Sequence, residues 1–255
     1  MKTYIAFSKK EGLDLFRTGK LYILGLLFCL FGIMNPAIAK LTPLLMELLS
    51  DSLAESGMTV TSVSIDALTS WTQFFKNMPI ALIAFVCVFS NSFTKEYETG
   101  TLLLVLSKGV PRHTVYISKA TVQMLVWTAG YWLSFGITYG YNAFYWENAV
   151  AVGLIPTVVS FWVFGLWILS LLCFFSVVGN SQMGVLLGTG GMVLLCYILS
   201  LIPTVAPYLP VALSDSANMT QAFDSTAYFK PYIATAVSGL GLLIGGIPAF
   251  NQKQL

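Results

Sequence analysis

Charged side chains are scarce in this sequence. Asp, Glu, Lys and Arg make up 9% of its 255 residues, whereas a soluble domain usually carries about 25% of them. Hydrophobic residues make up 56% of the chain, and a soluble fold of this length cannot hide so much apolar surface in one core. The lack of charge therefore excludes an ordinary soluble protein and indicates an integral membrane protein.

Several chemistries need residues that the sequence does not supply. His113 is the single histidine and lies outside the apolar stretches, so an intramembrane protease or a haem protein lacks histidine at membrane depth. The centres of the apolar stretches hold none of the charged residues that ion-driven transporters use. No Gly-rich loop ends in Gly-Lys-Ser or Gly-Lys-Thr, which excludes that mode of ATP binding. We predict no catalytic, cofactor or metal site in this chain.

Stretches without charge define the predicted membrane spans. Five such stretches occur, at 21–39, 77–94, 120–146, 148–214 and 231–252. A helix needs about 20 apolar residues to cross a bilayer, so the long fourth stretch must hold two spans, separated near 178–182 and ending at the prolines after residue 202. We predict one all-α transmembrane domain over 1–255, with six spans near 21–39, 77–94, 116–139, 151–176, 183–203 and 231–249.

The distribution of Lys and Arg predicts the orientation, because basic residues stay on the cytoplasmic side in short loops. The segments on the side of the N-terminus hold Lys2, Lys9, Lys10, Arg17, Lys20, Lys95, Lys108, Arg112, Lys119 and Lys253. The other side holds only Lys40, Lys76 and Lys230. We therefore predict a multi-pass plasma-membrane protein with both termini in the cytoplasm. The net charge of +2 gives no reason to expect nucleic acid as a partner.

The segments outside the spans have their own patterns. Residues 1–20 are predicted to form an in-plane amphipathic helix at the inner surface, and 41–53 has helical periodicity in the first outer loop. Residues 203–230 are rich in proline and too broken to cross, which favours short helices at the outer face. Aromatic residues next to the spans are predicted to anchor them at the interface: Trp71, Phe74, Phe75, Tyr139, Tyr141, Tyr145 and Trp146.

Small residues are predicted to mediate close helix packing. The last two spans carry Gly184, Gly188, Gly191, Gly241 and Gly245. Glycines at such spacing let two helix backbones approach closely in lipid, either within one chain or against a second copy. Cys29, Cys87, Cys173 and Cys196 all fall inside predicted spans, so we expect buried small side chains and no disulfide framework.

The segment between spans two and three is the most informative. Span two is predicted to continue as a helix to about Glu98, where Gly100 stops it. Thr101 is then placed to cap a short helix that ends at Ser107 before Gly109, and Pro111 suits the first turn of the next helix. An apolar helix exposed on the cytoplasmic side is expected to dock into another protein.

This segment resembles the permease subunits of the second type of ATP-binding-cassette (ABC) exporters. The residues that carry the resemblance are Glu98, Gly100-Thr101-Leu102, Leu106-Ser107-Lys108, Pro111-Arg112 and Ser118-Lys119. The run 71–78, the six spans and the broken segment before the last span are similar to the family as well. Gly109 is a departure, because many relatives have proline beside the valine.

The resemblance implies a coupling helix that sits in a groove of a separate cytoplasmic ATPase subunit, which binds ATP and Mg²⁺. It also implies two permeases, identical or different, and two ATPases in each transporter. The implied ATPase contacts are Glu96, Glu98, Gly100, Thr101, Leu102, Leu103, Val105, Leu106, Ser107, Lys108 and Arg112. A bundle rich in aromatic residues and methionine suits an apolar or amphipathic cargo. Within the family that the segment resembles, peptide exporters fit best, including those that resemble the phenol-soluble-modulin exporter.

Two readings from other classes remain open. One is a membrane assembly factor or sensor subunit whose leucine-rich inner loop recruits a soluble partner without transport. The other is an intramembrane enzyme, which the missing catalytic groups disfavour. An ATPase gene beside this one would favour transport over both.

Overall fold

A computed structural model describes residues 2–55, 66–220 and 225–253, and within them the chain is helical with no β-strand. The α-helices are α1 (Lys2–Arg17), α2 (Lys20–Glu55), α3 (Ala67–Phe89), α4 (Thr94–Glu98), α5 (Thr101–Ser107), α6 (Arg112–Tyr145), α7 (Leu154–Val178), α8 (Gln182–Leu199) and α9 (Ser225–Gln252). The all-α fold class predicted from the sequence is confirmed.

Five helical segments in the described chain are long and apolar enough to cross a membrane. They are Lys20–Leu44, Ala67–Glu98, Leu154–Val178, Gln182–Leu199 and Tyr228–Gln252. α6 has 34 residues, which at 1.5 Å per residue is about 51 Å, but it is less apolar and buries Lys119, Gln123 and Asn142. The chain is therefore an integral membrane protein, and the count of six spans stays a prediction.

The helices extend beyond several predicted span boundaries. α2 continues to Glu55, so the helix expected over 41–53 is continuous with the helix of the first span rather than a separate loop element. α3 begins at Ala67, where the Asp66 side chain accepts a hydrogen bond of 3.2 Å from the backbone N–H of Thr69. This side-chain cap starts the helix ten residues before the predicted span.

The aromatic residues near the start of α3 lie in the core of the bundle. Trp71 and Phe74 have no exposed surface. The Trp71 ring centroid lies 5.4 Å from that of Phe135, and the Phe74 centroid lies 5.9 Å from that of Tyr131. The prediction that Trp71, Phe74 and Phe75 are interface anchors is wrong, because α6 covers the first two and Phe161 of α7 packs on Phe75. Tyr139, Tyr141 and Tyr145 are exposed, and Trp146 is partly exposed.

α7 is the central helix and packs against α3, α6, α8 and α9. It is apolar on all sides, as expected of a helix surrounded by others, and Leu169, Leu172 and Cys173 are fully buried. Gly165 lets α7 approach α6, since a Cβ there would overlap the Trp127 indole. Gly130 accommodates the Phe28 ring in the same way, and Gly246 accommodates Tyr116.

The glycines predicted to mediate packing divide into two groups. A Cβ on Gly188 would lie 2.5 Å from the Phe175 ring, and one on Gly245 would lie 3.9 Å from Phe174. Gly191 and Gly241 face open space, and Gly184 meets only Ser181 of its own N-cap. Close packing within the chain therefore uses Gly188 but depends more on Gly130, Gly165 and Gly246, which the sequence pattern did not single out.

Both ends of the described chain meet at one end of the bundle, here called the hairpin end, where α4, α5 and the α7–α8 turn also lie. The opposite end holds the broken segment, which forms three short 3₁₀ helices over Ala206–Tyr208, Pro210–Ser214 and Ala217–Thr220. The buried Leu213 contributes to the main core, and the backbone N–H of Gly153 donates to the Met219 carbonyl at 2.9 Å. The predicted break before α9 is confirmed.

α1 is a separate helix that packs on α6 and α2. The Tyr4 hydroxyl donates to Thr121 Oγ1 at 2.9 Å, while Ile5, Leu13 and Phe16 remain exposed. Gly19, with φ of +77°, provides the left-handed residue that separates α1 from α2. An amphipathic helix with an exposed apolar side fits the predicted in-plane position at a membrane surface.

The contact between Gly165 and Trp127 can be tested by adding one methyl group. In Gly165→Ala the new Cβ overlaps an indole that neighbouring rings already hold in place, so we expect a loss of about 1–3 kcal/mol of stability. The measurement is the midpoint of thermal unfolding of the purified protein in detergent. Gly136→Ala on α6 is the control, because a Cβ there meets nothing within 4 Å. Equal midpoints for the two variants would contradict the proposed packing.

Candidate functional site at the hairpin end

A turn at residues 90–93 interrupts the helix that the sequence predicted to continue to Glu98. α3 ends at Phe89, and polar side chains bind the residues that follow. Lys20 Nζ donates to Asn91 Oδ1 at 2.8 Å, and Gln182 Nε2 donates to Ser90 Oγ at 3.0 Å. The turn is therefore bonded to α2 and α8, and a separate helix, α4, begins after it at Thr94.

Two glycines shape the α4–α5 hairpin. Gly100 has φ of +65° and Gly109 has φ of +81°, a conformation that side chains other than glycine rarely adopt. Gly100 ends α4 as predicted, but it also occupies the N-cap of α5. Thr101 is the first residue of α5, with its hydroxyl 2.9 Å from that of Thr99, so its prediction as the cap is wrong. α6 begins at Arg112, directly after Pro111.

The leucines of α5 divide between a buried and an exposed side. Leu102 has 1% of its surface exposed and packs in a second hydrophobic cluster that includes Phe93, Tyr116 and Phe250. Leu103 and Leu104 are 51% and 64% exposed. The expectation that Leu102 faces a partner is therefore contradicted, and the exposed apolar surface belongs to Leu103 and Leu104. The sequence pattern could not distinguish the two sides, because residues 102–106 are all apolar.

The other residues predicted to contact the ATPase also differ in their exposure. Glu98, Thr101, Ser107 and Lys108 are exposed, while Gly100, Val105 and Leu106 are partly buried. Glu96 is engaged inside the protein, since its Oε1 lies 3.1 Å from the Nζ atoms of both Lys10 and Lys119. Arg112 is likewise engaged, because its Nη1 donates to the carbonyls of Phe250, Asn251 and Lys253. Glu96 and Arg112 thus position the hairpin and are not free contacts.

A buried lysine joins three helices beneath the hairpin. Lys119 of α6 is 3% exposed, and its Nζ lies 2.9 Å from Glu11 Oε2 on α1 and 3.1 Å from Glu96 Oε1 on α4. It also donates to the Ser92 carbonyl at 3.2 Å. Burial alone would raise the pKa of Glu11, but the Lys119 charge and hydrogen bonds from Lys10 and Lys119 outweigh it. The pKa of Glu11 therefore lies below its usual value.

The end of α9 is tied to the neighbouring helices by basic side chains. Lys253 Nζ donates to the carbonyls of Val177 and Gly179 at 2.7 Å each and lies 4.2 Å from the Tyr97 ring centroid. Burial lowers the pKa of Lys253. Together with the Arg112 contacts, this satisfies carbonyls at the last turns of α7 and α9, which have no partners within their helices. The hairpin consequently rests on α6, α7 and α9.

An apolar cleft of about 380 Å³ opens between α3, α7 and α8. The described residues that line it carry no charge, and its polar side chains are Cys87, Thr189 and Tyr197. Cys87 is exposed and Cys29 is partly exposed, whereas Cys173 and Cys196 are buried. The expectation of four buried cysteines therefore holds for Cys173 and Cys196 but fails for Cys29 and for Cys87, which borders this cleft. Within the described residues no cluster of His, Cys, Asp or Glu could hold a metal ion.

The fold and this end of the bundle define a helical multi-pass membrane protein with an exposed leucine-bearing hairpin. Residues 5–241 match the family described as ABC-2 family transporter protein. The match covers nearly the whole chain, so the protein belongs to the ABC-2 transporter family and is a membrane component of an ABC transporter. No curated protein matches the chain.

Removing the Lys119 charge tests the buried cluster. In Lys119→Met, Glu11 and Glu96 lose their shared buried counter-charge, and we expect a loss of about 3–5 kcal/mol of stability. The pKa of Glu11 lies below 4.5 when folded, so its contribution is complete above about pH 4.5 and is lost as the pH falls below that value. The measurement is thermal unfolding of wild type and variant at neutral and acidic pH.

The exposed Lys108 supplies the matched control. Lys108→Met removes the same charge from the surface, where we expect a change within about 0.5 kcal/mol. The double variant Glu11→Gln, Lys119→Met should recover part of the loss, since Lys10 then faces only one charged carboxylate, that of Glu96. Equal effects of Lys119→Met and Lys108→Met would show that the cluster has no special role.

Proposed function

We propose that this protein is the permease subunit of an ABC exporter, driven by a separate ATPase subunit that docks on the α4–α5 hairpin from the cytoplasm. ATP and Mg²⁺ would bind to that partner. The observation that carries the proposal is the exposure of Leu103 and Leu104 on a helix whose other side is held by the protein core. Exposed leucines on a fixed element are the kind of apolar surface that marks a protein interface.

The surroundings of these leucines support a docking role. A cavity of about 320 Å³ lies beside α5 and is lined by Glu98, Leu103, Asn180 and Lys253 among others. A partner helix or loop could therefore place one side chain in a recess formed by the hairpin, the α7–α8 turn and the end of α9. The exposed charges Glu98 and Lys108 flank the leucines and would favour one orientation of the partner.

Replacing Leu104 by aspartate tests docking without disturbing the core. A carboxylate buried unpaired at an interface costs several kcal/mol, so Leu104→Asp should lower the amount of ATPase that co-purifies with the permease by more than tenfold. Leu103→Asp should act in the same direction. The measurement is the ratio of ATPase to permease after affinity purification from membranes.

Two further variants separate docking from folding. Ser107→Asp adds the same charge to the exposed end of α5 without removing apolar surface, and it should retain the ATPase. Leu102→Asp places the charge in the buried cluster and should lower the thermal stability of the permease itself. Full retention of the ATPase by Leu103→Asp and Leu104→Asp would refute docking through the hairpin, and with it the proposed energy source.

The apolar cleft supports an apolar or amphipathic cargo, with peptides as our preferred class. A site with many apolar groups and few polar ones favours ligands of matching character. The cleft lies between α3 and α8, both of which also expose apolar side chains such as Ile83, Leu187 and Leu194. A cargo could thus reach it from the hydrocarbon layer rather than from water.

Cys87 offers a probe of this cleft, because it is the exposed cysteine of the four. With an environment-sensitive fluorophore on Cys87, an amphipathic helical peptide should cause a saturable change in emission. The control peptide has the same composition in a scrambled order without an apolar face. Gly190→Trp, which fills space beside the cleft, should abolish the response. An equal response to both peptides would contradict a selective cargo site.

We also propose six spans, cytoplasmic termini and a homodimer of permeases. The dimer is supported by Gly191 and Gly241, whose faces are open and free for close approach by another helix. A second candidate function, a membrane assembly or sensor subunit, shares the exposed hairpin. It differs in requiring neither an ATPase partner nor cargo-stimulated ATP hydrolysis. Co-purification of an ATPase with this chain would therefore favour the exporter over the assembly or sensor subunit.

A further inference from the structure

A groove of about 460 Å³ runs between α2 and α6 near the end of the bundle opposite the hairpin. Ile33, Pro36, Ala37, Leu41 and Leu44 of α2 form its apolar wall. The remaining lining residues are Lys40, Tyr141 and Tyr145. A groove with an apolar wall, one cation and two phenol groups matches the two parts of a phospholipid, an acyl chain and an anionic headgroup.

The position of Lys40 along α2 places the groove at a membrane surface. Lys20 begins α2 at the hairpin end, where it binds Asn91, and Lys40 follows 20 residues later. At 1.5 Å per residue these two lysines are about 30 Å apart along the helix, which equals the thickness of the hydrocarbon layer. Lys40 therefore lies at headgroup depth when Lys20 lies at the opposite surface. Tyr141 and Tyr145 provide the aromatic side chains typical of that depth.

The contacts of α2 with α6 around Pro36 leave space for the groove. Pro36 lacks the N–H that would bond to the Gly32 carbonyl, and Thr138 Oγ1 of α6 donates to that carbonyl at 3.0 Å instead. This bond holds α2 against α6 on the side of the groove that is nearer the hairpin end. Farther from the hairpin end, the small side chain of Ala37 faces the gap between the two helices.

The cation in the groove, Lys40, contacts the face of an aromatic ring, which carries only a partial negative charge. Lys40 Nζ lies 3.8 Å from the Tyr145 ring centroid, and none of the carboxylates at 2–44, 66–217 and 228–253 forms an ion pair with it. A ring face attracts a cation but does not neutralise it. We propose that this groove binds an anionic phospholipid of the outer leaflet, with its phosphate at Lys40 and an acyl chain along the wall from Leu41 to Ile33.

The test uses the purified full-length chain in mixed micelles that contain equal amounts of phosphatidylglycerol and phosphatidylcholine. Native mass spectrometry measures which lipid remains bound. Wild type should retain phosphatidylglycerol about fivefold over phosphatidylcholine, the factor given by about 1 kcal/mol for one basic residue near an anionic lipid. Lys40→Gln should remove this preference, because it keeps the groove but not the charge.

Two variants isolate the headgroup and the acyl chain. Lys230→Gln is the charge control, since Lys230 also lies over a tyrosine ring, at 5.0 Å from Tyr208, and it should keep the wild-type preference. Ala37→Leu narrows the groove and should lower retention of both lipids alike. Thermal unfolding of each variant confirms that it is folded.

Other occupants give different outcomes. Displacement of the bound lipid by millimolar inorganic phosphate would indicate a phosphate site rather than a lipid site and overturn the proposal. Equal retention of the two lipids by wild type, or the same loss in Lys230→Gln as in Lys40→Gln, would overturn it too. A shift of the protein from dimer to monomer in Ala37→Leu, with lipid retention unchanged, would assign the groove to a second copy of the chain.

Discussion

The arrangement of the hairpin end depends on the ammonium group of Lys119, enclosed between the carboxylates of Glu11 and Glu96. A charge that is 97% removed from solvent is tolerable only with paired carboxylates at hydrogen-bond distance. α1, α4 and α6 must therefore keep fixed positions relative to one another. Because only Thr99 and Gly100 separate α5 from α4, the same cluster fixes the direction in which α5 presents its leucines.

Hydrophobic packing and helix-end bonds complete this support. Leu102 lies in a cluster with residues of α1, α6, α7 and α9, and Arg112 and Lys253 bond to carbonyls in the last turns of α9 and α7. Any force on the exposed side of α5 would thus reach α6, α7 and α9 together. α7 also borders the apolar cleft, so the hairpin and the proposed cargo cleft share one helix.

The two openings between helices differ in their chemistry, and this difference separates their proposed ligands. The cleft between α3 and α8 has no charged lining residue within the described chain, which suits cargo that enters with its apolar side first. The groove between α2 and α6 has Lys40 beside an apolar wall, which suits a molecule that stays at the membrane surface. A single bundle can in this way hold a lipid at its edge while the cleft remains free.

The sequence by itself determined the membrane class, the all-α fold, the break before α9 and the role of Gly100 in ending α4, because composition and glycine stereochemistry are local properties. The hairpin motif likewise indicated the ABC-2 family. The tertiary structure alone decided which leucines of α5 are exposed, since 102–106 is apolar on every side and only the position of Phe93, Tyr116 and Phe250 buries Leu102. It also decided that Glu96 and Arg112 face inward and that Gly130 and Gly165 accommodate aromatic rings, because each of these contacts joins residues far apart in the chain.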